Sequence, residues 1–448
     1  MTTAIDENFC VINSLPEIVL VQIFSHLTID ERCVLVQVCK LWYQIVQESY
    51  RLSYTCIIRL FSHLSSSLSN ETLAIQRRVG RVLSHSLTVI HDLPQNRNIS
   101  ETNENEENVN TNYLVYYGFI YKYMKQFQYD IRHLHIHIEQ QDQTTRYVLC
   151  KLLNLFSHNK RQIRTFSLSF IGFNPMFMKC SDITNSLRAF FHHQSQSLLV
   201  CDLSGVMFSL DDDSCITLSK YNQNLLSLNL QDQSLVCCIT AYGLMQIIEN
   251  LKYLNDLWVD MIAVTDDVLQ LLLKQDDLKH LGLRIRREEK YSDEINPQLW
   301  RQLREKHSKL RLTLNFDITT PLNRIAAYMK PEIQLPVQTL ILNTPVRVYN
   351  ELIIAANNYH ETLENVYIQT TAQWVLTPSE VINEAILYLA ERCPNLKTLY
   401  YDCALDPLII EHIYSLHPHL KEQGASKLLL IDSPTHNIQI QEMADLFG

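Results

Sequence analysis

Glycine is scarce in this chain: 8 residues in 448, where average usage of about 7% would place roughly thirty. The eight are scattered, at positions 80, 118, 172, 205, 243, 282, 424 and 448. A turn that cradles a phosphate needs several glycines within about eight residues. Dinucleotide-binding folds and P-loop nucleotidases are therefore excluded. No apolar run reaches the roughly 18 residues of a membrane span, so no membrane partner is expected. The first eight residues carry Asp6 and Glu7 and no Lys or Arg, so no secretory signal is expected either. The 12 cysteines then read as free thiols of a reducing compartment, cytoplasmic or nuclear. None are spaced Cys-x-x-Cys, and the adjacent Cys237 and Cys238 make a poor chelating pair, so no structural zinc is expected. A net charge of −10 argues against nucleic acid as a partner. There is no Gly-x-Ser-x-Gly elbow and no His-Glu-x-x-His helix. The reading is of a protein without catalytic residues, metal or cofactor.

What is present is apolar surface, 46% of residues against 19% charged. The length allows two to four domains or one long repeat array. Near the N-terminus, Ser14-Leu15-Pro16-Glu17 opens an amphipathic helix, with Ser14 or Asn13 available as cap. Leu20, Ile23, Phe24 and Leu27 recur at helical spacing. A polar turn at 28–31 follows, then a second apolar run over Cys33–Val38 and a third that includes Cys39, Trp42, Ile45 and Val46. Three short helices in about forty residues make too small a core to be very stable alone, which points to a partner.

The pattern Leu15-Pro16, Ile23-Phe24, Leu27, then Val38-Cys39-Lys40-x-Trp42 resembles the F-box, here placed at residues 11–52. The resemblance implies docking onto a Skp-type adaptor and, through it, a cullin. Leu15, Pro16, Ile23, Phe24, Leu27, Val38, Cys39 and Trp42 would form or support that interface. Ile18 stands where the family usually has an acid, and Arg32 where a leucine is common.

Behind this segment a Φ-x-x-Φ-x-Φ pattern recurs, Φ being apolar. Examples are Ile163-Phe166-Leu168, Leu225-Leu228-Leu230, Leu254-Leu257-Val259, Leu363-Val366-Ile368 and Leu396-Leu399-Tyr401. From Leu134 to Leu428 there are 294 residues over ten intervals, about 29 per repeat, at the long end of leucine-rich repeats. Leu310-Leu312-Leu314 falls out of register. Helices fill the gaps, and several have legible starts. Thr377-Pro378-Ser379-Glu380 reads as a capping box with proline at the first helical position. Asn296-Pro297 and Asp406-Pro407 repeat the cap-then-proline signature. The fold class is α/β: a three-helix F-box, then an irregular solenoid over residues 53–448 with parallel strands on its concave face. Cys56-Ile57-Ile58 and Leu87-Thr88-Val89 extend the strand series upstream. The Asn/Glu-rich segment 93–112 reads as a disordered insertion, and subtracting it restores the period between Leu87 and Leu134.

Together these features resemble F-box proteins whose C-terminal part is a leucine-rich-repeat substrate receptor. The long irregular repeats are similar to those of divergent members such as F-box only proteins 33 and 39. The resemblance implies the substrate-recognition subunit of a ubiquitin ligase, with an unidentified protein as substrate. The alternative is a scaffold acting outside a ligase.

Strand alternation sends Φ residues to the core and the residues between them to the concave face. That register presents Trp258, Tyr367 and Tyr400, three large aromatics of the kind enriched at binding hot spots. It also presents His280, Arg284 and Arg286, part of a basic cluster suited to an acidic or phosphorylated segment. Glu288 and Glu289 are the alternative partners of that cluster. His133, His135 and His137 share one strand face; with no fourth ligand in view they read as solvated histidines.

Overall fold

The computed structural model describes residues 15–25, 38–39, 41–42, 45, 55–61, 87–92, 132–138, 143–157, 163–170, 181–234, 236–287, 296–331, 335–344, 348–370, 379–422 and 427–430. The expected insertion at 93–112 lies outside them. The chain divides into two compact units, one of residues 1–209 with 220–224 and 232–235, the other of 210–219, 225–231 and 236–448.

The first unit contains α1 (Glu17–Ser25), β1 (Thr55–Phe61), β2 (Leu87–Asp92), β3 (His133–Ile138), α2 (Gln143–Ser157), β4 (Thr165–Phe170), α3 (Ser181–His193) and β5 (Val200–Gly205). Its strands are all parallel. Strict alternation shapes them. On β3, Leu134, Ile136 and Ile138 are buried while the three histidines between them are half-buried. β4 repeats this with Phe166, Leu168 and Phe170. Underneath lie Leu149, Leu152 and Phe156 of α2 and Phe190 and Phe191 of α3. The Phe166 and Phe190 ring centroids are 4.6 Å apart.

Strand order departs from the expected succession. β1 lies between β2 and β3, with Cys56 paired to Leu87 on one side and to Leu134 on the other. β2 and β3 are therefore not neighbours in the sheet, although they follow one another in the strand series.

The second unit continues with α4 (Asp212–Tyr221), β6 (Ser227–Asn229), α5 (Ala241–Asn250), β7 (Asp256–Asp260), α6 (Asp266–Leu272), β8 (His280–Ile285), α7 (Pro297–Lys306) and β9 (Arg311–Phe316). It ends with α8 (Leu322–Tyr328), β10 (Val337–Thr344), α9 (Tyr349–Tyr359), β11 (Asn365–Thr370), α10 (Glu380–Arg392), β12 (Thr398–Leu405), α11 (Pro407–Leu416), α12 (Pro418–Glu422) and β13 (Lys427–Leu430). β6 to β13 pair in sequence order, all parallel. This is the expected solenoid arrangement: each strand–helix unit buries its apolar side on the next.

Two local features show how sequence sets the repeat. Asn296 Oδ1 accepts from Gln298 N at 2.9 Å with Pro297 behind it, and Asp406 Oδ1 accepts from Leu408 N at 2.8 Å with Pro407 behind it. Both N-terminal signatures hold. The capping box does not: α10 starts at Glu380, its cap is Ser379 rather than Thr377, and the Ser379 side chain makes no capping bond. Leu310-Leu312-Leu314 is one residue short between its first two leucines, yet Leu312 and Leu314 align with Leu281 and Leu283. β10 absorbs the mismatch with an irregularity between Val337 and Thr339.

Candidate functional sites: an N-terminal apolar stripe and the polar face of the sheet

α1 begins where the Pro16 carbonyl accepts from Val19 N at 2.9 Å and Leu20 N at 3.2 Å. Its apolar residues divide between two sides. Leu20 and Phe24, four apart, are buried, and the Phe24 ring meets Trp42 edge-on at 5.3 Å. Ile45 is buried nearby in the sequence and Trp42 is half-buried. Leu15, Val19 and Ile23, also four apart, face solvent, Ile23 with 43% of its surface exposed. Val38 and Leu41 are exposed too.

Of the eight residues expected at an adaptor interface, Leu15, Pro16, Ile23 and Val38 are therefore exposed. Cys39 and Trp42 are half-buried, Phe24 is a core residue beneath, and Leu27 lies outside the described residues. Val19 and Leu41 extend the exposed set. Val19 was legible as the midpoint of the Leu15–Ile23 spacing. Apolar side chains left in water on so small a unit leave unrealised roughly 1.5–3 kcal/mol for each that a partner could fully bury.

On the second unit, pairing puts the residues between core positions into ladders that cross the sheet. One runs Asn229, Trp258, Gly282, Thr313, Thr339, Asn365, Thr398. The next runs Asp260, Arg284, Asn315, Ile341, Tyr367, Tyr400. Trp258 is thus one ladder away from the tyrosines. It is half-buried, outside the core, and its ring stacks at a tilt on His280, centroids 4.5 Å apart. His280 Nε2 is 3.0 Å from Thr313 Oγ1. Burial holds the His280 imidazole below its ordinary pKa, with Asp256 opposing. Tyr367 and Tyr400 are half-buried neighbours with centroids 6.4 Å apart.

Arg284 and Arg286 correct the expectation placed on them. Each is only 6% exposed. The Asp260 carboxylate accepts from Arg284 Nε at 2.6 Å, from its second guanidinium nitrogen at 3.0 Å, and from Arg286 at 3.0 Å. Arg284 also donates to the Gln231 carbonyl at 3.1 Å. A buried guanidinium is tolerable only with such partners. These arginines hold the ends of β7 and β8 together and are not presented to a ligand. Glu288 and Glu289, the alternative partners, lie outside the described residues.

The F-box-like family matches residues 12–58, which include α1 and the start of β1. The chain is similar to human F-box/LRR-repeat protein 8, 22% identical over 307 residues that make up 68% of this chain and 80% of the relative. The mouse protein of that name is 22% identical over 65% of this chain and 76% of its own length. The bovine one is 22% identical over 68% and 80%. With an F-box-like match at its N-terminus and parallel strand–helix repeats behind it, this chain is similar to F-box proteins with a body of leucine-rich-repeat type.

Proposed function

We propose that this chain is the substrate-recognition subunit of an SCF-type (Skp adaptor, cullin, F-box) E3 ubiquitin ligase. Its F-box docks on a Skp-type adaptor and through it on a cullin. The polar sheet face, with Trp258, Tyr367 and Tyr400, receives the protein to be ubiquitinated. The chain does no bond chemistry. It raises the local concentration of substrate beside a ubiquitin-charged enzyme, which is catalysis by proximity. The observation that carries the reading is the exposed stripe Leu15–Val19–Ile23 within the F-box-like segment.

The test is capture of adaptor and cullin by the full chain. Leu15→Ala with Ile23→Ala removes exposed groups only, so the fold persists. Adaptor affinity should fall at least about tenfold, the equivalent of 1.4 kcal/mol. Undiminished capture at unchanged melting temperature would overturn the reading. Capture of adaptor without cullin would favour a scaffold outside a ligase.

A further inference from the structure

Asp256 and Trp258 stand on the same side of β7, two residues apart and so roughly 7 Å along the strand. The indole is laid across the next strand. A β-carbon on Gly282 would meet its Cε3, Cδ2 and Cζ3 all at once. An edge would bring one ring atom close and leave its neighbours well behind, so it is a face of the ring that covers Gly282. The ring is only half-buried, and the face it presents is therefore the opposite one, turned away from the sheet.

The Asp256 carboxylate beside it is half-buried. Among the described residues it accepts no hydrogen bond, and no Lys, Arg or His forms an ion pair with it. Its lateral neighbours are Ser227 on β6 and His280 on β8. His280 sends Nε2 to Thr313 Oγ1 on β9 at 3.0 Å, and burial holds its imidazole below the ordinary histidine range, against the pull of Asp256. Arg311, opposite His280 on β9, donates to the Leu310 carbonyl at 3.0 Å. On the other side of Trp258, Arg284 and Arg286 are turned onto Asp260. Lys252 and Lys279 are exposed in the loops that lead into β7 and β8. The segments 222–226, 251–255, 273–279 and 307–310, which enter β6 to β9, all belong to the described residues. A carboxylate without a counter-ion thus adjoins an open aromatic face.

We propose that Trp258 and Asp256 receive one arginine side chain of the substrate, its guanidinium stacked on the indole and forked onto the carboxylate; this rests on the polar sheet face being the substrate-binding surface. The ring quadrupole attracts a cation over its face, and indole does so best among the aromatic side chains. A guanidinium is planar, so it lies flat on a flat ring while its edge gives a carboxylate two parallel hydrogen bonds. A lysine ammonium is a strongly hydrated point charge and exploits only part of this geometry. A neutral aromatic or proline would use the ring and leave Asp256 unanswered, and an acidic segment would be repelled by it.

The experiment uses the full chain and acetylated, amidated peptides Thr-Thr-X-Thr-Thr in which X is arginine, lysine or citrulline. Citrulline keeps the shape of arginine without its charge. Dissociation constants are read by saturation-transfer NMR at low salt. The arginine peptide should bind at least about tenfold tighter than the citrulline peptide, and more tightly than the lysine peptide. Added salt should narrow the margin over citrulline, because the pair is partly exposed. Asp256→Asn changes a group that holds nothing else in place and should reduce that margin to about twofold or less. Asp256→Glu keeps the charge and should retain most of it. Trp258→Leu should weaken the arginine peptide as well. Absence of arginine-peptide binding, equal affinity for arginine and citrulline, or an undiminished margin in Asp256→Asn would overturn the proposal. Adaptor capture is read separately on the same chains. Its retention by Asp256→Asn alongside the lost margin supports this site, and failure of the wild-type chain to capture adaptor would overturn the ligase reading alone.

Discussion

The indole of Trp258 lies directly over the backbone of Gly282 on the neighbouring strand. A β-carbon built on Gly282 would overlap Cε3 and Cδ2 of the ring. One of the chain's few glycines is thus placed where an aromatic must approach a strand closely. The same ring leans on His280. Gly282→Ala should push the indole off the sheet, at the roughly 1–3 kcal/mol typical of overpacking. The expected signature is a fall of several degrees in melting temperature together with a red shift of tryptophan fluorescence. An alanine variant with unchanged emission and stability would show that the ring does not rest there in solution.

Asp260 neutralises two buried guanidiniums, and its loss removes the carboxylate they share. Breaking such a buried group typically costs about 3–5 kcal/mol. Asp260→Ala should therefore be among the most destabilising single substitutions on the polar face. The bridge from Lys397 to Glu364 at 2.7 Å is the contrast, since the lysine side chain is 65% exposed. Lys397→Ala should cost under about 1 kcal/mol. Denaturant titration of the two variants checks the ranking, and comparable losses would contradict the burial argument.

Burial depresses the pKa of His133, His135, His280 and His307 below the ordinary 6.5. A base with a lower pKa in the folded state binds fewer protons there than when unfolded. Its contribution to stability is complete above the unfolded pKa and declines as pH drops through that value toward the folded one. The melting temperature of the free chain should therefore decrease from pH 7.5 to 5.5. His133→Gln with His135→Gln should flatten the slope. A melting temperature that rises over this interval would contradict the sign.

Much of the architecture was legible because strand alternation and cap chemistry are local. Leu134 and Ile136, or Leu257 and Val259, announce a half-buried strand whatever surrounds them, and Asn296-Pro297 and Asp406-Pro407 announce helix starts. Non-local pairing was not legible. Nothing in Leu87–Asp92 says that β1 will come between it and β3, since parallel strands carry no mark of their neighbour. The partner of Arg284 was hidden for a similar reason. Asp260 is 24 residues away, and only the β7–β8 register brings its carboxylate to the guanidinium. At the N-terminus the helical spacing gave the apolar positions but not their division. Leu20 and Phe24 are buried and Leu15, Val19 and Ile23 exposed, a division that the spacing alone does not carry.

Two of the four tryptophans separate core from surface. Trp300 on α7 is 3% exposed, and Trp258 is half-buried on the polar face. Replacing a core Trp with Ala costs about 3–5 kcal/mol, so Trp300→Ala should lower the melting temperature by on the order of 10 °C, given about 2–4 °C per kcal/mol for a cooperative unit of roughly 150–250 residues. Trp258→Ala gives up the stack on His280 and the cover over Gly282 but opens no interior cavity, so its loss should be clearly smaller. Trp258 instead should matter for capture, because aromatics on a polar face contribute disproportionately to binding. Once a substrate is in hand, Trp258→Ala should reduce its retention at least tenfold while adaptor binding persists. Equal thermal losses for the two variants would place Trp258 among the structural aromatics. A stable Trp258→Ala chain that still retains its substrate would shift recognition to Tyr367 and Tyr400, one ladder away.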